Sequence, residues 1–151
     1  MAGEVWFYHL ERSVLDQALP DLLDKTLSKG WRALVRVRDP DRLEALDDAL
    51  WSWRDDSFLA HGRDDQAHAE RQPILMGGEG AVNLNGAQAL FIVDGAEAGD
   101  ADAFERCVIL FDGRDPEQVE AERARWKRLK GQGLKVTYWR QEESGRWAQM
   151  A

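Results

Sequence analysis

Seven lysine and arginine residues and no acid lie between Arg123 and Arg140, in a 151-residue chain whose net charge is −8. Trp126, Tyr138 and Trp139 are interleaved with them. At about 100° per residue, Val119, Trp126 and Leu129 share one side of a helix, and Arg123, Lys127 and Lys130 run along one border of that stripe. An apolar surface edged by cations suits a ligand that is both greasy and anionic, and a guanidinium can hold a carboxylate through two parallel hydrogen bonds. A solvated helix face whose cations pair with nearby acids would show the same pattern. The acidic body repels phosphate, so this positive island suits a compact acidic ligand better than a long duplex.

Other reactive side chains form no comparable group. His61 and His68 share an acid-rich stretch, but no H-E-x-x-H or paired-cysteine spacing accompanies them. Ordinary surface histidines are the expectation, with no metal and no other cofactor. Cys107 sits in the apolar run RCVILF and reads as a buried, inert thiol. Gly77, Gly78 and Gly80 match neither G-x-G-x-x-G nor G-x-x-x-x-G-K-[ST] and read as a flexible loop. No acid–base pair stands out among the scattered carboxylates, so catalysis is not expected. Trp51, Trp53 and Phe58 follow an amphipathic helix into polar sequence. Partly exposed rings there would concentrate binding energy; a small satellite core is the alternative. Trp6, Trp31 and Trp126 read as core.

The elements that position these residues follow from hydrophobic periodicity. EVWFYHL (4–10) reads as a strand. Leu15, Leu19, Leu22, Leu23 and Leu27 recur at helical spacing, with Ser13 as cap and Gly30 as stop. Pro20 either lies in the first turn or divides a short turn from the main helix. WRALVRV (31–37) reads as a second strand. Asp39-Pro40 starts a helix striped by Leu43, Leu46 and Leu50. The stretch from Ser52 to Gln72 has loop composition. PILM (73–76), ALFIVD (89–94) and RCVILFDG (106–113) read as buried strands, with a turn-rich GGEGAVNLNG and a short helix between them. Asp115-Pro116-Glu117-Gln118 is a capping box opening a helix that ends near Gly131. LKVTYWRQ and GRWAQM form a terminal hairpin around a turn at 142–145.

This order predicts one α/β domain over residues 1–151: a three-layer, mostly parallel, Rossmann-like sheet flanked by helices, with a short C-terminal antiparallel hairpin. No apolar run approaches the roughly 20 residues that span a bilayer. The N-terminus lacks a basic segment followed by an apolar one, and the single cysteine cannot form an internal disulfide, so a cytoplasmic setting without membrane contact is expected.

The segments FYHL, LPDLLDK, GWRALVRV, RLEALDDALWSW, SFLAHG, QPILM and ARWKRLKGQGLKVTYWRQEESGRW occur in that order. Together they resemble the chi subunit of bacterial DNA polymerase III. The resemblance implies a non-catalytic α/β accessory protein of the clamp loader, in the nucleoid-associated replisome of the cytoplasm. It implies binding to the C-terminal tail of single-stranded DNA-binding protein, a run of aspartates ending in Ile-Pro-Phe with a free carboxylate. Contact with single-stranded DNA would then be indirect. It also implies binding to the psi subunit, or to a competing DinG-type helicase. By position, Arg123 matches the arginine that grips the tail's carboxylate. Trp126, Lys127 and Gly133 match the aromatic, lysine and loop glycine that follow, and Lys130 lies on the same border. Trp51 and Phe58 match the psi-binding surface. Ala60 stands where the family usually has proline, and Trp126 where tyrosine is more familiar. Two rival readings stand beside this one: a nucleotide-binding α/β enzyme, and direct nucleic-acid binding through 123–140 by base stacking.

Overall fold

The computed structural model describes residues 3–11, 14–52, 59–97, 100–144 and 146–150. Among these, eight strands form one sheet: β1 (Glu4–Leu10), β2 (Ala33–Val37), β3 (His61–Arg63), β4 (Ile74–Gly77), β5 (Ala89–Val93), β6 (Arg106–Asp112), β7 (Lys135–Gln141) and β8 (Trp147–Gln149). The spatial order is β3-β4-β2-β5-β6-β1-β7-β8. Every neighbouring pair is parallel except the terminal hairpin β7–β8, where Glu142 N–H donates to the Arg146 carbonyl across the turn at 2.8 Å. The α-helices are α1 (Leu15–Ser28), α2 (Pro40–Trp51) and α3 (Pro116–Gly131).

Strand alternation sorts the core into two faces. Tyr8, Val35, Phe91 and Val108 point to the side where α1 supplies Leu19 and Leu23, and α2 supplies Leu46 and Leu50. Phe7, Leu34, Leu90 and Ile109 point to the other side, where α3 supplies Leu129. β2 and β5 are buried along their whole length, as strands covered on both faces must be. The three-layer architecture expected from the sequence is therefore present.

The helix ends show local chemistry at work. Gly30, at φ +87°, lets its own N–H reach the Leu27 carbonyl and Trp31 N–H reach that of Thr26, which closes α1. Pro20 lies inside a continuous α1, so neither expectation for it holds; the helix tolerates one missing N–H near its start. Ser13 lies outside the described residues. Asp39 accepts from Asp41 N–H at 2.9 Å to start α2, and Asp115 from Glu117 N–H at 3.0 Å to start α3. Gln118 does not complete the capping box. Its side-chain oxygen Oε1 instead accepts from Asp112 N–H at 3.0 Å, tying the start of α3 to the end of β6, and its Nε2 donates to Asp115 Oδ2 at 3.3 Å.

The stretch from 52 to 72, expected to be loop, contains edge strand β3 and a short 3-10 turn at Ala69–Arg71. His61 is not a surface residue there: it is 6% exposed. Its Nε2 meets Asp47 Oδ1 at 2.7 Å and its Nδ1 meets the Leu59 carbonyl at 2.7 Å, while Arg63 Nε donates to Asp47 Oδ2 at 3.1 Å. This network fastens α2 to β3. Cys107 is fully buried, and burial pushes its thiol up to about 12. The native protein should thus show no fast reaction with a thiol reagent at pH 8, and one equivalent should react after denaturation in urea.

Candidate functional site

Val119, Trp126 and Leu129 pack onto the sheet, and Arg123, Lys127 and Lys130 stand exposed along the border of that stripe, as helical spacing requires. The decisive question is whether these cations already have acidic partners. Elsewhere in the positive segment Lys135, Arg140 and Arg125 do, while Arg128 forms no ion pair among the described residues. Lys135 Nζ lies 3.1 Å from Glu4, and Arg140 Nη2 lies 2.6 Å from Glu11. Arg125 turns inward, 3.4 Å from Glu122, and donates to the Ala96 carbonyl at 2.9 Å. Among the described residues, Arg123, Lys127 and Lys130 form no ion pair with any acid. Lys130 Nζ instead sits 4.6 Å from the centre of the half-buried Trp126 ring. The Trp126 indole N–H is buried and has no acceptor among the described residues.

The helix closes at Gly133, φ +84°, with Gly133 N–H donating to the Lys130 carbonyl and Leu134 N–H to that of Leu129. This glycine sets the tight return into β7. Tyr138 then falls on the α3 face with Val136, whereas Trp139 points to the opposite face and packs against Trp6 and Tyr8, with ring centres 5.5 and 6.1 Å away. Only one of the two β7 aromatics expected near the basic helix is therefore beside it; a strand's two-residue period separates them.

Behind Arg123 lies a polar contact that sequence reasoning missed. Tyr138 Oη and His9 Nδ1 share a short hydrogen bond, and the two rings meet edge to face at 5.9 Å. Burial is the main cause that lowers the His9 pKa. Arg140 and Arg123 add to it, and Glu11 and Asp112 oppose it. Burial likewise raises Tyr138, with Arg123 the largest opposing charge. The unfolded chain binds a proton that folded His9 resists, so stability should decline as pH falls below about 6.5. Thermal melts between pH 7 and pH 5 check this, and His9→Gln should flatten the slope.

Trp51 ends α2 on the opposite face of the sheet from α3. It is 56% exposed, with its ring 4.5 Å from that of His61. Phe58 lies outside the described residues. The structure thus gathers Arg123, Trp126, Lys127 and Lys130 on one helix border and leaves Trp51 remote from them.

A crevice of about 810 Å³ opens where β2 and β5 end and α2 and α3 begin, the place where open α/β sheets hold ligands. Its lining sets six carboxylates, among them Asp39, Asp94 and Asp115, against Arg38, Arg125 and Arg128. That balance repels a polyphosphate. Gly77 serves packing: a Cβ there would come within 2.6 Å of Ala81 and Asp64. No group of three or more histidine, cysteine or acidic residues is placed to hold a metal ion, and no helix is long and apolar enough to cross a membrane, among the described residues.

Residues 2–137 match the family model described as DNA polymerase III chi subunit, HolC. A curated relative, the probable DNA polymerase III subunit chi of Rickettsia prowazekii (strain Madrid E), is 22% identical over 151 residues, covering 95% of this chain and 90% of its own length. The family match spans all three helices and stops inside β7, before Tyr138.

Proposed function

The chain belongs to the DNA polymerase III chi subunit family, and on that premise we propose that it is a non-catalytic adaptor of the replicase. It holds the acidic C-terminal tail of single-stranded DNA-binding protein on the outer border of α3. It links that tail to the clamp loader through psi, or to a DinG-type helicase, by a second surface around Trp51 and Phe58. The observation that carries this reading is that Arg123, Lys127 and Lys130, on the border beside the half-buried Trp126, form no ion pair among the described residues. Arg123 takes the terminal carboxylate, Trp126 lies against the terminal phenylalanine, and Lys127 and Lys130 attract the aspartates that precede it.

Magnitudes agree with a transient adaptor. One charge-assisted contact contributes about 1.5–3 kcal/mol, and burying one phenylalanine about 1.5–3 kcal/mol. After ordering costs, a short tail should bind near micromolar, about −8 kcal/mol. An oligomeric partner offering several tails raises the effective affinity.

The test is fluorescence anisotropy with a labelled peptide ending Asp-Ile-Pro-Phe. Arg123→Ala should weaken binding by about tenfold or more, and amidating the peptide's C-terminus should do the same. Trp51→Ala should leave the affinity unchanged. Unaltered binding after both the Arg123 change and amidation would remove the assignment. Bare single-stranded DNA should bind poorly, and strong gel shifts without the tail would favour direct stacking on 123–140 instead.

A further inference from the structure

The face of the sheet opposite α3 carries a second cation-edged apolar feature, built from different residues. A slot of about 160 Å³ lies between the C-terminal half of α1 and the strands beneath it. Its floor is Tyr8, Phe91, Val108 and Leu22, all of them core residues. Its rim is cationic: Lys25, Lys29 and Arg106. Lys29 Nζ stands 4.2 Å from the centre of the Trp31 ring, and the Arg106 guanidinium lies between Trp6, at 3.8 Å, and Trp31, at 5.1 Å. These stacks hold the charges over the mouth. Trp6, expected in the core, is a half-exposed wall of the slot, and Trp31, also expected there, is half-exposed beneath the rim cations.

The charges on this rim are incompletely matched. Lys25 reaches Asp21 at 3.3 Å across exposed surface, a weak pairing. Arg106 lies 3.9 Å from Glu4, which is engaged more closely by Lys135. Arg106 Nε is buried and has no hydrogen-bond acceptor among the described residues. Three weakly matched cations beside a hydrocarbon floor suit an anionic oxygen attached to an apolar group.

We propose that this slot is a binding site for an aromatic carboxylate. One benzene-sized ring fits a cavity of about 150 Å³ lined by apolar side chains, so the ring occupies the floor. The carboxylate then lies at the rim, against Arg106 and Lys29. A nucleobase is the poorer occupant. Most of the floor is hydrocarbon, and the Thr26 hydroxyl is already committed to the Leu22 carbonyl at 2.8 Å, so the base's polar edge would lose its hydrogen bonds to water. The site lies across the sheet from the α3 border and does not depend on the reading of that border.

The experiment is an NMR titration of the full isotope-labelled chain with phenylpropionate, following the indole N–H signals. Saturable shifts of Trp6 and Trp31 are expected at millimolar ligand, with Trp126 stationary. Phenylpropanol, which keeps the ring and lacks the charge, should bind about tenfold more weakly, as should phenylpropionate to Arg106→Gln. Lys29→Gln, at an exposed position, gives a second reading should the Arg106 change disturb folding; it should weaken binding several-fold. A dipeptide ending in phenylalanine distinguishes the sources of the ligand: tighter binding than phenylpropionate assigns the slot to a polypeptide C-terminus, and weaker binding assigns it to a free acid. Absence of saturation, equal affinity for phenylpropanol, or shifts confined to Trp126 would overturn the proposal.

Discussion

Phe7→Ala is expected to lower the stability of the fold by about 3–5 kcal/mol and its Tm by roughly 10 °C or more. Phe7 is wholly buried. It stands in β1 between Ile109 of β6 and Tyr138 of β7 in register, on the face covered by α3. Backbone hydrogen bonds on both sides hold β1 in place, so neighbouring strands cannot close over the space a missing ring leaves. The cost therefore includes the cavity as well as the lost transfer of apolar surface. Urea denaturation followed by circular dichroism measures it. A loss below about 1 kcal/mol would show that α3 settles into the gap, contrary to this packing argument. In the folded fraction, tail-peptide affinity should change little, because the α3 border lies on the outer side of the helix.

Arg36→Ala ranks second, at about 3 kcal/mol. Arg36 is 5% exposed within β2. Its Nε and Nη2 both donate to the Ala81 carbonyl, at 3.0 and 2.8 Å. Both terminal nitrogens also engage the Asp100 carboxylate, Nη2 at 3.0 Å. Alanine removes every one of these bonds and leaves the Ala81 carbonyl without its donors, while half-exposed Asp100 can turn to water. Arg36→Met keeps much of the stem's packing and should recover part of the loss. The hydrogen bond from Arg36 holds the Asp100 carboxyl below its ordinary value. A depressed carboxylate stabilises the fold above its unfolded pKa, and that contribution disappears as pH falls below about 4. Wild-type stability should thus decline in that acid range, and the Arg36 variants should lose this part of the dependence. An unchanged acid slope would show that the pair is not coupled to folding.

The same fold explains why a nucleotide reading is the weaker one. The crevice at the carboxyl ends of the strands is present and roomy, yet Asp39 and Asp115 already cap α2 and α3 there. A phosphate would meet carboxylates where a nucleotide site presents free N–H groups. The proposed tail site lies instead on the outer border of α3, where Arg123, Lys127 and Lys130 form no ion pair among the described residues.

The order of strands and helices, the caps at Asp39 and Asp115, the stop at Gly30 and the terminal hairpin were all legible in the sequence, because each depends on residues within one or two turns of each other. The helical border of Arg123, Lys127 and Lys130 was legible for the same reason. β3 was not: HGR is too short and too polar to show a period, and it is a strand only because it pairs with β4. The burial of His61 likewise depends on Asp47, brought to it by α2. What the sequence left open was whether the basic segment is a neutralised surface or an available one. Tertiary structure decided that, because Glu4 and Glu11 arrive on β1 beside Lys135 and Arg140. No acid arrives beside Arg123, Lys127 or Lys130 among the described residues. Local spacing places charges on a helix face; only the packing of distant strands determines which of them find partners.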